Sequence, residues 1–386
     1  MFIEPRFVVL VALCWITLAV APARFRSHAL AAWGVVFYLL FAPGALWLIA
    51  AVVAVAYACV GRRSKWIGIA LVVGLLVFFK WPARTVATAG AATTLAPMGD
   101  SPLVPLGFSY LALELIHYMV ERSRGRIADR SLPNLAAFAL FFPCRIAGPI
   151  KRFNDFTASV AQAPGSAVDV YHGCFRILSG LVKKVVLADL LNGVAATIDV
   201  ATTPEQAWKA TAAYSLALYM DFSAYSDFAI GVSRVMGIRV PENFNWPYFS
   251  ANIQDFWNRW HMSLSTWMRD YVFSSVGRQL FKTPLSERPG VIATASYSAT
   301  FLAVGAWHGL SINFLVWGAY HALLVTLYHF YKAWLPESVA ANRLYQSRLA
   351  SVGSAGLTFA LVTIGLVFFR MDVPHAMRIL RLMFFS

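Results

Sequence analysis

The sequence predicts an all-α integral membrane protein with many membrane segments, and three observations support this fold class. Hydrophobic residues make up 59% of the 386 residues, and charged residues make up 13%, about half the usual share of roughly 25% in soluble domains. Long stretches contain no Asp, Glu, Lys or Arg, among them residues 27–61 and 289–331. The remaining charges lie mostly in short clusters between such stretches. A soluble fold cannot bury this much apolar surface, so the composition indicates that lipid surrounds the chain.

The apolar stretches predict roughly ten or eleven membrane segments. Residues 7–23 predict a first helix that is retained, because the residues after it form a poor signal-peptide cleavage site. Residues 27–61 predict two short helices or one broken helix, since Pro43 and Gly44 interrupt them. Residues 66–79 predict the next short helix.

The middle of the chain carries shorter apolar stretches that contain ionisable residues. These stretches lie near 101–120, 132–144, 171–198 and 210–235, and they include Glu114, His117, Asp221 and Asp227. Ionisable groups at such positions usually face a bundle interior or a water-filled cavity. After them, residues 289–331 predict two spans joined near His308, and residues 349–369 predict the last span.

Residues 251–270 are too polar to cross a bilayer and too aromatic for an ordinary loop. On a helix of 3.6 residues per turn, one stripe combines apolar side chains with a histidine: Ile253, Trp257, His261, Leu264 and Met268. Asn252 is a suitable N-cap residue for this helix. The segment is therefore predicted to be one short amphipathic helix that lies at the membrane interface without spanning it.

Two histidines are candidates for acid–base chemistry. His308 lies within the uncharged stretch 289–331, and its flanking residues Gly305 and Gly309 permit a close backbone approach or a broken helix. A neutral imidazole can take a proton from a hydroxyl without a buried permanent charge. For both His308 and His261, a purely structural role in the helix packing stays open at this point.

The excess of basic residues indicates which kinds of partner the chain attracts. The 32 Lys and Arg residues exceed the 18 Asp and Glu residues, which gives a net charge of +14. Their clustering between apolar stretches is typical of cytoplasmic loops and does not predict nucleic-acid binding. A basic inner face attracts membrane lipid head groups and acidic partners, such as a nucleotide-bearing donor or a carrier protein. The four cysteines lie far apart and match no metal-site or redox spacing.

Several sequence blocks resemble those of the membrane-bound O-acyltransferase family. FWNRWHMSLS at 256–265 and WHG at 307–309 are similar to the two signature blocks. Further blocks resemble the bacterial branch, in particular the membrane proteins of alginate O-acetylation and teichoic-acid D-alanylation: GPI at 148–150, DFSAYSDFAIG at 221–231, PENFN at 241–245 and FFR at 368–370. The resemblance covers residues 101–386, whereas residues 1–100 match only in hydropathy. It predicts a single membrane domain over residues 1–386.

The resemblance implies a fold, a site and a reaction. The fold is a ring of tilted helices with short amphipathic or re-entrant helices around a central funnel. His308 takes the position of the catalytic base and His261 that of a second active-site residue. The same blocks supply the candidate substrate-binding residues Asn258, Trp260, Ser265, Trp307 and Asp221.

The expected reaction moves a small acyl group, acetyl or D-alanyl-like, to a hydroxyl of an extracytoplasmic cell-surface polymer. The donor would be a cytosolic thioester, either acyl-CoA or the phosphopantetheine of an acidic acyl carrier protein, and no bound metal or cofactor is expected. The protein would be a multi-pass protein of a bacterial cytoplasmic (inner) membrane. An exported SGNH-type transferase is a possible further partner.

Two other functions stay open. A transporter or flippase could use Glu114, Asp221, Asp227 and His308 to line a solute path, although no inverted repeat is detectable. A non-catalytic scaffold could instead pass acyl groups to a separate exported transferase. Genes for an acyl carrier or an SGNH-type transferase beside this one would help to distinguish these functions.

Overall fold

A computed structural model of the protein describes residues 4–81, 105–336 and 347–385. Every regular element within these ranges is helical, and none is a strand. The all-α prediction is therefore confirmed for the described part of the chain. Contacts group the chain into two compact units: the first comprises Met1–Lys184 and Phe222–Glu242, and the second comprises Val185–Asp221 and Asn243–Ser386.

The first unit begins with short apolar helices. Its helices are α1 (Pro5–Val20), α2 (Arg26–Phe41), α3 (Leu46–Ala58), α4 (Ser64–Lys80), α5 (Phe108–Ser123), α6 (Leu132–Leu140), α7 (Phe153–Gln162) and α8 (Ala167–Val182). Pro43 and Gly44 lie in a short 3₁₀ turn between α2 and α3. The predicted interruption of residues 27–61 is therefore confirmed, because Pro43 has no N–H to continue the α-helical hydrogen bonding.

The ionisable residues of α5 are held by partners inside the first unit. Glu114 pairs with Arg145 and with Lys151 Nζ, and these three side chains are at most 1% exposed. Lys151 Nζ also lies 5.0 Å from the ring centre of Phe138, a distance at which the ring face attracts a cation. His117 Nε2 accepts a hydrogen bond of 3.0 Å from the Phe153 backbone N–H. Glu114 thus joins α5 to the segment before α7, and His117 joins α5 to the first residue of α7.

We expect Glu114→Ala to destabilise the first unit strongly. The substitution leaves two buried cations without their carboxylate, and removing one partner of a buried ion pair typically costs roughly 3–5 kcal/mol. Thermal unfolding in detergent would show a lower midpoint and a lower yield of folded protein. Glu287→Ala, at an exposed position, is the matched control. Equal unfolding midpoints for the two variants would contradict this assignment.

The second unit contains the motif-bearing segments. Its helices are α9 (Asp189–Ala195), the first half of α10 (Pro204–Val235), α11 (Ile253–Arg259), α12 (Met262–Met268), α13 (Ser274–Leu280), α14 (Pro289–His308), α15 (Ile312–Trp334), α16 (Arg348–Arg370) and α17 (Val373–Phe384). Among the described residues, α14 and α16 are the helices long and apolar enough to cross a membrane by length and composition. The higher number of membrane segments stays a prediction.

Helices α14 and α15 form a tightly packed antiparallel pair. Their junction lies at His308–Ile312, so the predicted division of residues 289–331 is confirmed. A Cβ atom at Gly305 would lie 2.4 Å from the Phe314 carbonyl oxygen, and one at Gly318 would lie 2.5 Å from that of Phe301. Since no side chain fits in these gaps, the glycines allow the close approach that places His308 beside α15.

Candidate active site

His308 ends α14 and lies in a pocket of aromatic rings. Its side chain is 7% exposed. The imidazole centre lies 4.9 Å from the ring centres of both Trp307 and Phe369, and 5.6 Å from that of Trp317. These aromatic rings cover much of the imidazole and limit the access of bulk water to it.

His261 lies at a break between two short helices. The prediction of one continuous amphipathic helix over residues 251–270 is wrong, because α11 ends at Arg259 and α12 begins at Met262. His261 has φ of 44°, in the left-handed region that ends a right-handed helix. The predicted cap is confirmed, since Asn252 Oδ1 accepts a 2.8 Å hydrogen bond from Asp255 N–H. Each helix has 7 residues, about 10 Å at 1.5 Å per residue, which is too short to span a bilayer.

Asn243 fixes this break from a distant part of the sequence. Its Oδ1 atom lies 3.2 Å from His261 Nδ1 and accepts a 2.6 Å hydrogen bond from Ser263 Oγ. The Asn243 carbonyl accepts a further bond of 2.8 Å from Met262 N–H. Asn243 is completely buried, so these bonds form where water does not compete. The His261 ring is therefore held in one orientation.

This contact defines which nitrogen of His261 carries the proton. An amide oxygen only accepts hydrogen bonds, so Nδ1 of His261 is the donor and Nε2 keeps its lone pair. Burial lowers the pKa of His261 to about 3, because the charged imidazolium loses its hydration. His261 is thus neutral at physiological pH, and its Nε2 atom is suited to accept a hydrogen bond from a hydroxyl.

One side chain, Trp307, contacts both histidines. Its ring centre lies 6.4 Å from that of His261 and 4.9 Å from that of His308. The separation of the two imidazole centres cannot exceed the sum of these distances. The two imidazoles therefore lie in the same region of the second unit.

A cavity of about 580 Å³ lies in the second unit beside these residues. Its apolar wall includes Trp257, Phe301 and Val325, and polar groups come from both sides of the helix break. Met262, next to His261, and Val304, one turn before His308, also line it. The π-helical segment Arg269–Phe273 contributes both of its end residues to the wall. Such segments are frequent at functional sites.

The five predicted substrate-binding residues differ in where the structure places them. Asn258 and Ser265 line the cavity, and Trp307 contacts both histidines. Trp260 is 8% exposed and packs within an aromatic cluster, 5.1 Å from Phe244 between ring centres. Asp221 is half-buried in α10 and is not among the cavity-lining residues. Substrate contacts for all five residues stay predictions.

Sequence reasoning missed two residues of this site. Asn243 could have been found, because it stands in the PENFN block as a polar residue that resembles a family motif. Trp317 carries no such signal, since tryptophan in an apolar helix is expected on packing grounds alone. Among the described residues, no group of His, Cys, Asp and Glu side chains is suited to hold a metal ion.

Comparison with known proteins identifies clear relatives. A family model described as MBOAT, membrane-bound O-acyltransferase family, matches residues 63–354, a range that begins before residue 101.

The probable alginate O-acetylase AlgI of Pseudomonas syringae is 35% identical over 81% of this chain and 59% of its own length. The teichoic acid D-alanyltransferase of Bacillus subtilis is 34% identical over 68% of each chain. The peptidoglycan O-acetyltransferase of Helicobacter pylori is 30% identical over 72% of this chain and 56% of its own. The chain thus spans about three fifths of the length of the AlgI protein that it matches.

Proposed function

The chain belongs to the membrane-bound O-acyltransferase family, and from this premise we propose that it transfers a small acyl group from a thioester to a hydroxyl of a cell-surface polymer. The observation that carries the proposal is the pair of buried histidines joined by Trp307 beside the cavity. A water-shielded base next to a substrate-sized cavity suits acyl transfer, because water would otherwise compete as the acceptor.

In the proposed reaction His308 is the general base. It takes the hydroxyl proton as the hydroxyl oxygen attacks the thioester carbonyl carbon, and it returns this proton to the thiolate that leaves. His261, which is neutral and oriented by Asn243, accepts a hydrogen bond from the hydroxyl and aligns it. The contact with Asn243 supports the aligning role of His261, and the place of His308 in the WHG block at 307–309 supports its role as the base.

The proposed donor is acyl-CoA or an acidic acyl carrier protein. Residues 259–288 contain five basic residues, Arg259, Arg269, Arg278, Lys282 and Arg288, and we place this stretch on the cytoplasmic side. It would attract a negatively charged donor, and added salt would weaken the attraction. Relatives named for alginate, teichoic acid and peptidoglycan support a polymeric acceptor. The proposed location is the bacterial inner membrane, crossed several times.

The transporter alternative loses support from the first unit. Glu114 is paired with two buried cations, and Asp227 accepts hydrogen bonds from Arg176 and from Lys183, the latter of 2.7 Å. Both carboxylates are thus already paired with cations of the first unit. Two of the four residues that suggested a solute path are thus accounted for by structural ion pairs.

The test uses the purified full chain in lipid nanodiscs. Radiolabelled acetyl-CoA or a D-alanyl carrier protein is added together with a hydroxyl-bearing polysaccharide, and label in the polymer is measured. We expect transfer from one of the two donors, and loss of this transfer in His308→Ala. Label that appears only after an exported SGNH-type transferase is added would overturn direct transfer and favour the scaffold function.

A further inference from the structure

Three buried nitrogen atoms of the second unit have no hydrogen-bond partner among the described residues. They are Trp257 Nε1, Trp317 Nε1 and His321 Nδ1. Trp317 is 4% exposed and His321 is 1% exposed. A buried polar group without a partner destabilises the fold, so proteins rarely keep several of them together without a use.

These three side chains are neighbours. The ring centre of His321 lies 4.9 Å from that of Trp317 and 5.1 Å from that of Trp257, and the two indoles are 5.9 Å apart. The three nitrogen atoms without hydrogen-bond partners therefore lie on side chains that contact one another. We call this group of three side chains the indole cluster.

The indole cluster adjoins both the cavity and the proposed base. Trp257 forms part of the cavity wall. Trp317 lies 5.6 Å from His308 between ring centres. A reactant held beside His308 would therefore lie near groups that still need a hydrogen-bond partner.

The hydrogen-bonding groups of the indole cluster determine which kind of atom it can bind. An indole N–H donates a hydrogen bond and cannot accept one, so two indoles match an oxygen that only accepts. A carbonyl oxygen meets this requirement, whereas a hydroxyl also needs an acceptor for its own proton. Donors aimed at a carbonyl oxygen become more valuable when that oxygen gains negative charge, above all in a site from which water is excluded.

We propose that the N–H groups of Trp257 and Trp317 bind the thioester carbonyl oxygen and stabilise its negative charge during acyl transfer. This inference rests on the proposed function. As the hydroxyl oxygen bonds to the carbonyl carbon, the C=O electron pair moves to the oxygen, which the two indoles hold. When this electron pair forms the C=O bond again, the C–S bond breaks and the leaving thiolate takes the proton from His308.

His321 is a positioning residue in this proposal. Its ring contacts both indoles and packs against α16, where a Cβ atom at Gly365 would lie 2.8 Å from His321 Nε2. This close packing fixes the imidazole, which in turn fixes the two indole planes. No proton transfer by His321 is needed.

The test replaces each indole N–H while keeping the aromatic ring. Trp257→Phe and Trp317→Phe are compared with substitution of the same residues by 3-benzothienylalanine, which has the shape of tryptophan but sulfur in place of the N–H. Removing one donor to a developing oxyanion typically lowers kcat about 100- to 1,000-fold. We expect a loss of this size with little change in KM for the donor. Trp334→Phe, at a 79% exposed position of α15, is the matched control.

Binding of two donor analogues gives a readout that does not require turnover. A phosphonate analogue of the acyl-pantetheine has a tetrahedral anionic centre, and a ketone analogue with CH₂ in place of sulfur keeps a planar carbonyl. The variants should weaken binding of the phosphonate far more than binding of the ketone. Equal effects on both, or unchanged kcat, would mean that the cluster holds only a structural water and would overturn the proposal. If the wild type transfers no acyl group, the proposed function fails instead, and the phosphonate comparison still decides whether the indoles bind an oxyanion.

Discussion

His308→Ala is expected to abolish acyl transfer while leaving the fold largely intact. The imidazole is the proposed general base, and such catalysis typically contributes about 100- to 10,000-fold in rate. Truncation to Ala removes only one of several rings in a tightly packed aromatic region, so the remaining contacts of Phe369 with Trp317 and Phe314 should preserve the packing. The measurement is the rate of label transfer to polymer by protein of verified folding.

His308→Gln separates chemistry from packing, because glutamine fills part of the space and forms hydrogen bonds but is not a base at neutral pH. It should be as inactive as His308→Ala and closer to the wild type in unfolding temperature. His172→Ala, at an exposed position of α8, is the matched histidine control and should keep full activity. Normal acyl transfer by His308→Ala would refute the mechanism.

His261→Ala should reduce the rate severely but not completely. An orienting residue does not carry the transferred proton, and misplacement of a reactant by about 1 Å can cost 100-fold. We therefore expect a loss on the order of 100-fold in kcat. Asn243→Ala should produce part of the same loss, because the imidazole remains but its Nδ1 atom no longer has the amide oxygen as its partner.

The combined variant tests whether these two residues act together. If Asn243 acts through His261, the His261→Ala and Asn243→Ala double variant should be no slower than His261→Ala alone. His375→Ala, where the side chain is 64% exposed, serves as the control. Fully additive losses would show that Asn243 and His261 contribute independently and would contradict the positioning role.

Local signals in the sequence predicted several elements of the fold. Pro43 and Gly44 interrupt a helix because of their own backbone chemistry, and Asn252 caps α11 with its own side chain. The division of residues 289–331 at His308 was predicted from the length of the stretch and its glycines. Each of these predictions depends on residues close together in the chain, which a single sequence shows directly.

The parts that the sequence could not predict depend on distant contacts. The helix break at His261 contradicts the 3.6-residue pattern around it, because backbone hydrogen bonds from Met262 N–H to the Asn243 carbonyl and from Asn245 N–H to the Arg259 carbonyl outweigh the periodicity. The indole cluster brings together residues of α11 and α15. Hydrophobic patterns indicate that Trp257 and Trp317 are buried, but they do not indicate that these two side chains are neighbours.

The left-handed backbone at His261 also restricts how this position can vary during evolution. For most L-residues this conformation costs roughly 1–2 kcal/mol, and glycine, asparagine and aspartate tolerate it best. β-branched residues such as valine or isoleucine are disfavoured there even before any effect on the reaction is considered. We therefore expect natural substitutions of His261 to be mostly glycine, asparagine or aspartate. The backbone conformation at His261, as much as the chemistry of the substrate, limits which residues can replace it during evolution.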